Sequence, residues 1–360
     1  MATKDTPRSL GYHMPAEWEH HESTWIAWPH NQNDWPGKFE AIPWVYAEIV
    51  RHLSHGERIE IIVRDANEQN RARGILESSR VELKRTRFHF WPTNRVWTRD
   101  SGPLFVRRDQ KRHPIAVTNW GFNAWAKYPD WKEDCRLPER IAQRLGFQQF
   151  DATLRRSGVD LAVILEGGSI DVNGRGLMLT TEECLLSRVQ QRNRDLSRKD
   201  LEVIFADYLG VEKVIWLGQG IVGDDTHGHV DDIARFVAAD TVLTVVEANR
   251  LDPNYAPLQE NLRRLRAAKG LDGRKMTIVQ LPMPRPVIFR NQRLPASYAN
   301  FYIANHAVLV PTFNDPNDRV ALNILAEIFP GREVVGIYCR DFIWGLGAIH
   351  CMTQQQPASR

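Results

Sequence analysis

The feature that most constrains the fold is an end-to-end alternation of short apolar runs with segments of helical periodicity. The runs that predict strands are 24–28, 59–63, 103–106, 115–120, 161–165, 177–180, 213–217, 242–246, 276–281, 307–311 and 333–338. The segments that predict helices are 40–53, 68–78, 136–145, 197–209, 256–269 and 318–328. Such alternation along a whole chain is typical of the α/β class, which we expect here.

The ratio of strands to helices restricts which α/β architectures are possible. A doubly wound sheet carries about one helix for each strand, whereas two or three strands often precede each helix here. This order favours a repeated β-β-α-β unit, although no repeat is visible residue by residue. No Gly/Ser-rich or Pro-rich linker divides the chain, and the prolines of 282–286 fit an ordered turn. One domain over residues 1–360 is therefore expected.

The charge and hydropathy of the sequence limit which binding partners and which cellular location we expect for the protein. Lys and Arg number 47 against 44 Asp and Glu, so the formal charge of +3 indicates neither a nucleic-acid nor a membrane partner. No segment approaches the roughly 18 consecutive apolar residues of a membrane span. Residues 1–8 lack the apolar stretch of a secretory signal, so we expect a cytoplasmic location. The basic runs 192–198 and 263–266 are interpreted as solvated helix faces.

The four cysteines do not predict a disulfide framework. They are too few and too widely spaced for a set of disulfides, and no Cys-x-x-Cys pair indicates a zinc or redox site. We expect free thiols at Cys135, Cys184, Cys339 and Cys351.

One segment concentrates titratable side chains. Residues 223–232 read Gly-Asp-Asp-Thr-His-Gly-His-Val-Asp-Asp, and four carboxylates with two imidazoles in ten residues do not suit a hydrophobic core. The pattern indicates a site. On its own it fits a metal-ligand cluster and equally fits acid/base work on a cationic substrate.

Three further segments carry candidate chemistry. Asp100 precedes a turn-forming Gly-Pro pair, Glu166 follows an apolar run and precedes two glycines, and Cys351 lies near the end of the chain. With the histidines of 223–232, these residues could supply a nucleophile, a proton shuttle and an anionic cradle. A cradle of carboxylates suits a guanidinium, which donates paired hydrogen bonds in a fixed fork. The residues thus favour hydrolysis at a guanidinium carbon. A fourth segment, 314–318, is interpreted as an ordinary helix-capping turn.

Several motifs together resemble the agmatine deiminase family, which also contains bacterial peptidyl-arginine deiminases. They are 97–103, 166–171, 228–231 and 349–357, with 14–21, 25–29 and 293–318 similar to the same family. The resemblance covers about residues 11–357. It implies an α/β propeller of five β-β-α-β modules with pseudo-fivefold symmetry around a central site, without a metal or an organic cofactor. It also suggests a homodimer.

The resemblance also implies residue roles and a reaction. The catalytic residues would be Cys351 as nucleophile, His229 as general acid/base and Glu166 as electrostatic support, and the substrate-binding residues would be Asp100, Asp231 and Trp97. The reaction would convert agmatine and water to N-carbamoylputrescine and ammonia through a thiouronium on the cysteine. That step belongs to putrescine and polyamine biosynthesis from arginine. The other titratable residues of 223–232 would then lie behind the site or at the surface: Asp224, Asp225, His227 and Asp232.

One departure from the family pattern leaves the substrate open. Many members have Gly-Gly-Gly-Asn before Ile-His-Cys, whereas this chain has Leu346 and Ala348 at the second and fourth positions. These changes affect substrate identity and rate more than reaction type, so a peptidyl-arginine or another guanidine stays an alternative.

Two rivals from other classes also stay open. A metal-dependent hydrolase could use His227, His229, Asp231 and Asp232, which approximate a His-x-His-x-Asp-His cluster. A binder of arginine or polyamines could use the acids without catalysis, although binding a cation needs no thiol.

Overall fold

The computed structural model describes residues 5–110, 112–194 and 196–359. The helices are α1 (Ile42–Leu53), α2 (Ala66–Ser78), α3 (Thr98–Ser101), α4 (Leu137–Leu145), α5 (Glu182–Leu186), α6 (Arg198–Leu209), α7 (Tyr255–Ala267) and α8 (Pro316–Ile328). The strands of the first half are β1 (His21–Ala27), β2 (Arg58–Val63), β3 (Thr86–Phe90), β4 (Leu104–Arg107), β5 (Ile115–Asn119), β6 (Gln148–Asp151), β7 (Thr153–Arg156), β8 (Val159–Ala162), β9 (Asp171–Val172) and β10 (Leu177–Thr181). Those of the second half are β11 (Lys213–Leu217), β12 (Ala234–Ala238), β13 (Thr241–Val246), β14 (Thr277–Pro282), β15 (Ile288–Phe289), β16 (Gln292–Arg293), β17 (Tyr302–Ile303), β18 (Ala307–Thr312), β19 (Glu333–Tyr338) and β20 (Gln354–Pro357). The predicted α/β class is confirmed.

Five sheets share one strand order. Four of them are β4-β5-β6, β9-β10-β11, β12-β13-β14 and β17-β18-β19, and the fifth is β20-β1-β2-β3. In each sheet the first strand pairs antiparallel with the second, and the second pairs parallel with the third. The parallel step crosses over through at least one helix, as parallel strands require. The last strand of the chain, β20, opens the sheet that contains β1. The β-β-α-β order expected from the sequence is therefore present along the chain in four of these sheets, and the fifth reaches the same arrangement by taking β20 from the end of the chain.

Local sequence signals explain the helix bounds. Ser197 and Asp200 form a reciprocal capping box at the start of α6, and Gly210 ends that helix in the left-handed region. Asp315 and Asp318 form the same box at the start of α8, with a proline in its first turn. Segment 314–318 is thus the helix-capping turn that the sequence predicts.

The core lies between the helices and the middle strands of the sheets. Strands β10, β13 and β18 are buried over nearly their whole length. Strands covered on both faces read as continuous apolar runs, which is why the sequence predicts these three. None of the helices within the described residues is long and apolar enough to cross a membrane.

One predicted strand is misplaced. The apolar run 161–165 predicts a strand, but β8 ends at Ala162 and forms an exposed hairpin with β7. Val163 bonds Ala152 and Gly121 through its backbone, and the chain then turns inward to Glu166. The run is apolar because Val163 and Leu165 enter a core cluster, not because it continues a sheet.

Candidate active site

The segments that carry the candidate residues occupy one topological position. Asp100 on α3 precedes β4, Glu166 precedes β9, Asp231 precedes β12 and Cys351 precedes β20. Each lies a few residues before the first strand of a sheet. Because the sheets share one strand order, equivalent segments bring these side chains to a common centre.

A cavity of about 350 Å³ leads to this centre. Asp100 and Cys351 are buried members of its lining. Much of its wall is aromatic: Trp97, Trp125, Tyr128 and Trp344. Leu346 also lines it, with a left-handed φ of 68° where the family pattern has glycine. A narrow, mostly apolar channel ending at polar groups is typical of a small-molecule site.

Asp100 is held by two donors and keeps acceptor capacity. Its Oδ2 accepts a hydrogen bond from Trp125 Nε1 at 2.9 Å, and its Oδ1 accepts one from the backbone N–H of Gly168 at 3.0 Å. Burial, with repulsion from Asp231 and Glu166 against the attraction of His229, raises the pKa of Asp100 to about 6. The carboxylate is therefore ionised at neutral pH and is stabilised further by any cation that enters.

His229 lies between two carboxylates. Its Nδ1 is 3.8 Å from Asp100 Oδ1 and its Nε2 is 3.7 Å from Glu166 Oε2. Burial disfavours the imidazolium, but the charge of Asp100, together with Cys184 and Glu166, raises the pKa of His229 well above its usual range. His229 is thus a cation that can give up a proton.

Glu166 owes its charge to a buried arginine. Arg192 Nε donates to Glu166 Oε1 at 3.0 Å, and both side chains are fully buried. Burial alone would raise the pKa of Glu166, but Arg192 and His229 lower it to about 2. The interpretation of 192–198 as a solvated face is therefore wrong at Arg192, because pairing with Glu166 offsets the cost of burying its charge. In the other run, Arg263 pairs with Glu260 on an exposed face of α7, as predicted.

The nucleophile candidate faces acids. Cys351 Sγ is 3.7 Å from Asp231 Oδ2, and His350 Nδ1 is 2.7 Å from that same oxygen. Burial would raise the pKa of Asp231, but the hydrogen bond and charge of His350 lower it. Burial and the carboxylates of Asp231, Asp232 and Asp100 raise the pKa of Cys351 well above its usual range. The sulfur is therefore a thiol until a cation enters.

Two glycines show how closely the six predicted site residues converge. A Cβ at Gly168 would lie 2.6 Å from His229 Nδ1, 2.8 Å from Asp100 Oδ1 and 3.1 Å from Asp231 Oδ2. A Cβ at Gly347 would lie 2.8 Å from the Trp97 ring and 3.1 Å from Cys351 Cβ. Glu166 joins the group through His229.

The Gly168 contact predicts a difference between two glycine-to-alanine substitutions. Gly168→Ala lowers the free energy of unfolding by about 1–3 kcal/mol, because the methyl group overpacks the three charged side chains. Gly74→Ala raises it by about 0.5–1 kcal/mol, because Gly74 lies inside α2 with nothing within 4 Å of a new Cβ. Urea unfolding of both variants measures the difference, and a Gly168→Ala protein as stable as the unsubstituted one would contradict it.

The remaining residues of 223–232 do not share one role. Asp224 Oδ2 accepts the backbone N–H groups of Gly228 and His229 and so shapes their loop. Asp232 is buried behind Asp231. Asp225 lines the cavity and accepts a hydrogen bond from Tyr128 at 2.6 Å, so its expected place behind the site or at the surface is wrong. Its partner Tyr128 is 97 residues away in the sequence, which is why the sequence does not reveal this position.

The four residues of the metal-site alternative do not face one point. His227 Nε2 is 3.2 Å from Ser187 Oγ, whereas His229 lies between Asp100 and Glu166. Within the described residues, the one group with ligand atoms close enough to share an ion, all within 4.8 Å of one another, is Glu166, Cys184 and His229. Glu166 is already neutralised there by Arg192. The geometry thus gives the metal-dependent alternative no support.

Sequence reasoning missed several buried partners of the site. His350 Nε2 lies 2.8 Å from Glu17 Oε2, and Glu17 also pairs with Arg99 at 3.2 Å and Arg235 at 2.9 Å. Glu17 lies in segment 14–21, and the similarity of that segment to the family could have indicated that Glu17 belongs to the site. Arg192 had no signal beyond a basic run, because its partner is 26 residues away.

Comparisons with known proteins identify relatives of this chain. The profile of a family described as Porphyromonas-type peptidyl-arginine deiminase matches residues 13–357. An agmatine deiminase of Pseudomonas aeruginosa is 34% identical over 99% of this chain and 98% of its own. The structure of an agmatine deiminase of Enterococcus faecalis is similar with a TM-score of 0.89 and 31% identity, covering 100% of this chain and 99% of that one. The structure of a C. jejuni agmatine deiminase has a TM-score of 0.81 and 27% identity, covering 97% of each.

Proposed function

Because the chain belongs to the Porphyromonas-type peptidyl-arginine deiminase family, we propose that it hydrolyses a guanidinium group and that its substrate is agmatine. One observation carries the reaction type. One carboxylate oxygen of Asp231 and one of Glu166 are buried and have no hydrogen-bond partner among the described residues. Asp231 lies beside the Cys351 thiol, and Glu166 lies beside His229. A buried acceptor oxygen without a donor is costly, and a guanidinium with five N–H donors would satisfy the Asp231 oxygen beside the thiol.

The proposed first half-reaction forms a bond to sulfur. Asp100 and Asp231 accept hydrogen bonds from the guanidinium and hold its carbon over Cys351 Sγ. The bound cation favours the thiolate, which attacks that carbon, and His229 protonates the departing nitrogen. The Sγ–carbon bond forms and one carbon–nitrogen bond breaks. The thiol proton is released to solvent, and the proton that the His229 imidazolium gives up leaves on ammonia. A thiouronium stays on Cys351.

The second half-reaction hydrolyses the thiouronium and regenerates the free Cys351 thiol. His229, now neutral, takes a proton from water, which adds to the thiouronium carbon. The Sγ–carbon bond breaks, N-carbamoylputrescine leaves, one proton of water returns to sulfur and the other stays on His229, which is again an imidazolium. Glu166 stabilises the imidazolium in both halves from 3.7 Å. The side chains present supply each proton and the nucleophile, so the proposal invokes no metal or organic cofactor.

The charges at the cavity mouth favour agmatine over arginine. Arg95 lines the cavity and is a candidate to receive an α-carboxylate, but its guanidinium donates to Asp34 at 2.6 Å and to Asp130 at 3.2 Å. Asp225, paired with Lys127, adds a third acid. Three carboxylates against two cations suit the ammonium of agmatine better than a carboxylate. Arg99 is buried against Glu17 and does not line the cavity.

A substrate panel tests this choice. We expect ammonia release from agmatine to exceed that from arginine and from a peptide with C-terminal arginine by at least about 100-fold in kcat/KM, because a carboxylate would meet the acids Asp34 and Asp225 in the cavity wall. The three substrates would be compared at one enzyme concentration. Equal rates with the peptide would instead favour a peptidyl-arginine deiminase.

The arrangement of the five sheets belongs to the same proposal. We infer that they are the blades of a five-module propeller with pseudo-fivefold symmetry, in a single catalytic domain over residues 1–360. Their shared strand order and the equivalent placement of the site segments support it. The cytoplasmic location, the homodimer and the place in putrescine biosynthesis stay predictions.

A further inference from the structure

The fifth sheet also places a residue at the common centre. Four sheets contribute Asp100, Glu166, Asp231 and Cys351 from the segment before their first strand. In the sheet that begins with β17 (Tyr302–Ile303), the corresponding segment ends in Asn300, which is fully buried. Asn300 therefore occupies the position that the site residues occupy in the other four sheets, and the sequence motifs assign it no role.

Asn300 bonds the sulfur directly. Its Nδ2 lies 3.1 Å from Cys351 Sγ and 2.9 Å from Asp232 Oδ1. Its Oδ1 accepts the backbone N–H of His350 at 3.0 Å and that of Cys351 at 3.4 Å. Because those two groups can only donate, they fix which end of the amide is oxygen and leave the N–H groups pointing at sulfur and at Asp232.

The segment that carries Asn300 is held rigidly. Ser297 Oγ donates to the backbone carbonyl of Asp232 at 2.7 Å, and Arg235 Nη1 donates to that of Phe301 at 2.8 Å. The side chains of Ser297 and Arg235 are fully buried. Anchors on both sides of Asn300 keep its amide in one place and reduce the entropy lost when it binds sulfur.

The carboxylates around Cys351 Sγ disfavour a thiolate, so the hydrogen bond from Asn300 can stabilise it. Asp231, Asp232 and Asp100 all disfavour a thiolate, and the backbone of Ala348 opposes them. His350 faces Asp231 rather than sulfur. A neutral N–H donor stabilises a thiolate without repelling the guanidinium, which a lysine or arginine at the same place would do.

Building on the proposed function, we propose that Asn300 is a catalytic residue that donates a hydrogen bond to Cys351 Sγ and stabilises the thiolate. Asp232 orients the amide by accepting its other N–H. Guanidinium binding then completes the deprotonation that the hydrogen bond begins.

The test is the pKa of the Cys351 thiol in Asn300→Ala, measured without substrate. Iodoacetamide alkylation would be followed against pH on the tryptic peptide 341–360, which contains one cysteine. We expect a thiol pKa about one to two units higher than in the unsubstituted protein, as loss of a charge-assisted hydrogen bond predicts. The kcat/KM for agmatine should fall by about 10- to 100-fold. Asn300→Ser, whose hydroxyl is too short to reach sulfur, is the second variant if Asn300→Ala does not fold.

The outcomes separate this proposal from the one on which it rests. A folded variant with an unchanged thiol pKa overturns the role of Asn300, even if its activity falls, because a purely structural role moves stability and not the alkylation profile. A raised thiol pKa in Asn300→Ala, together with no ammonia release from agmatine by the unsubstituted protein, supports the role and refutes the proposed substrate.

Discussion

Cys351→Ala should abolish ammonia release from agmatine, with a loss on the order of 10⁴-fold or more in kcat. Removing a covalent nucleophile leaves only binding and electrostatic contributions, which cannot form the Sγ–carbon bond. Agmatine binding should persist, because the carboxylates of Asp100 and Asp231 do not depend on the thiol. Ammonia release and calorimetric titration with agmatine would be measured on the same sample.

A matched cysteine provides the control. Cys135 lies outside the cavity lining and contacts the backbone carbonyl of Lys132, so Cys135→Ala should keep full activity. Substantial ammonia release by Cys351→Ala would refute the nucleophile assignment. Loss of both activity and agmatine binding would instead indicate that the thiol shapes the cavity.

His229→Asn should lower kcat for agmatine by about 10³-fold, within the range for a general acid/base. The KM should not rise, because the substitution removes a cation that faces the bound guanidinium and leaves Asp100 and Glu166 in place. Since the pKa of His229 is raised, the imidazolium is present at neutral pH and is lost as pH rises through that value. Unsubstituted protein should therefore lose activity on the alkaline side as this proton leaves.

The neighbouring histidine is the control for His229. His227 has the same side chain two positions earlier but faces Ser187 and Glu183. Its φ of 62° is tolerated by asparagine, so His227→Asn should retain the native rate. If the two variants lost activity equally, the loop as a whole would matter rather than the proton of His229.

The sequence predicted elements best where one local signal dominates. Helix α6 (Arg198–Leu209) was expected at 197–209 because its capping serine and apolar period coincide, and β13 (Thr241–Val246) was expected at 242–246 because it is buried on both faces. Strand β12 (Ala234–Ala238) was missed. Its second residue, Arg235, is fully buried against Asp171 and Glu17, and a charged residue in so short a run gives no strand signal.

The site shows the same division. Residues in compact motifs, such as Asp100, His229 and Cys351, were predicted, and the structure brings them together. Asn300 and Arg192 escaped because their roles exist only through partners 51 and 26 residues away. Asp225 was placed wrongly because its partners, Tyr128 and Lys127, lie 97 and 98 residues away in the sequence.

The most direct test of the central claim is detection of the covalent intermediate on Cys351. Unsubstituted protein mixed with agmatine would be quenched in acid, digested with trypsin, and peptide 341–360 weighed by mass spectrometry, with Cys135→Ala as a parallel sample. The account predicts that this peptide gains the mass of agmatine less ammonia, and that the gain is lost in Cys351→Ala. Ammonia released at the full rate with no such adduct, under quench times shorter than one turnover, would contradict it.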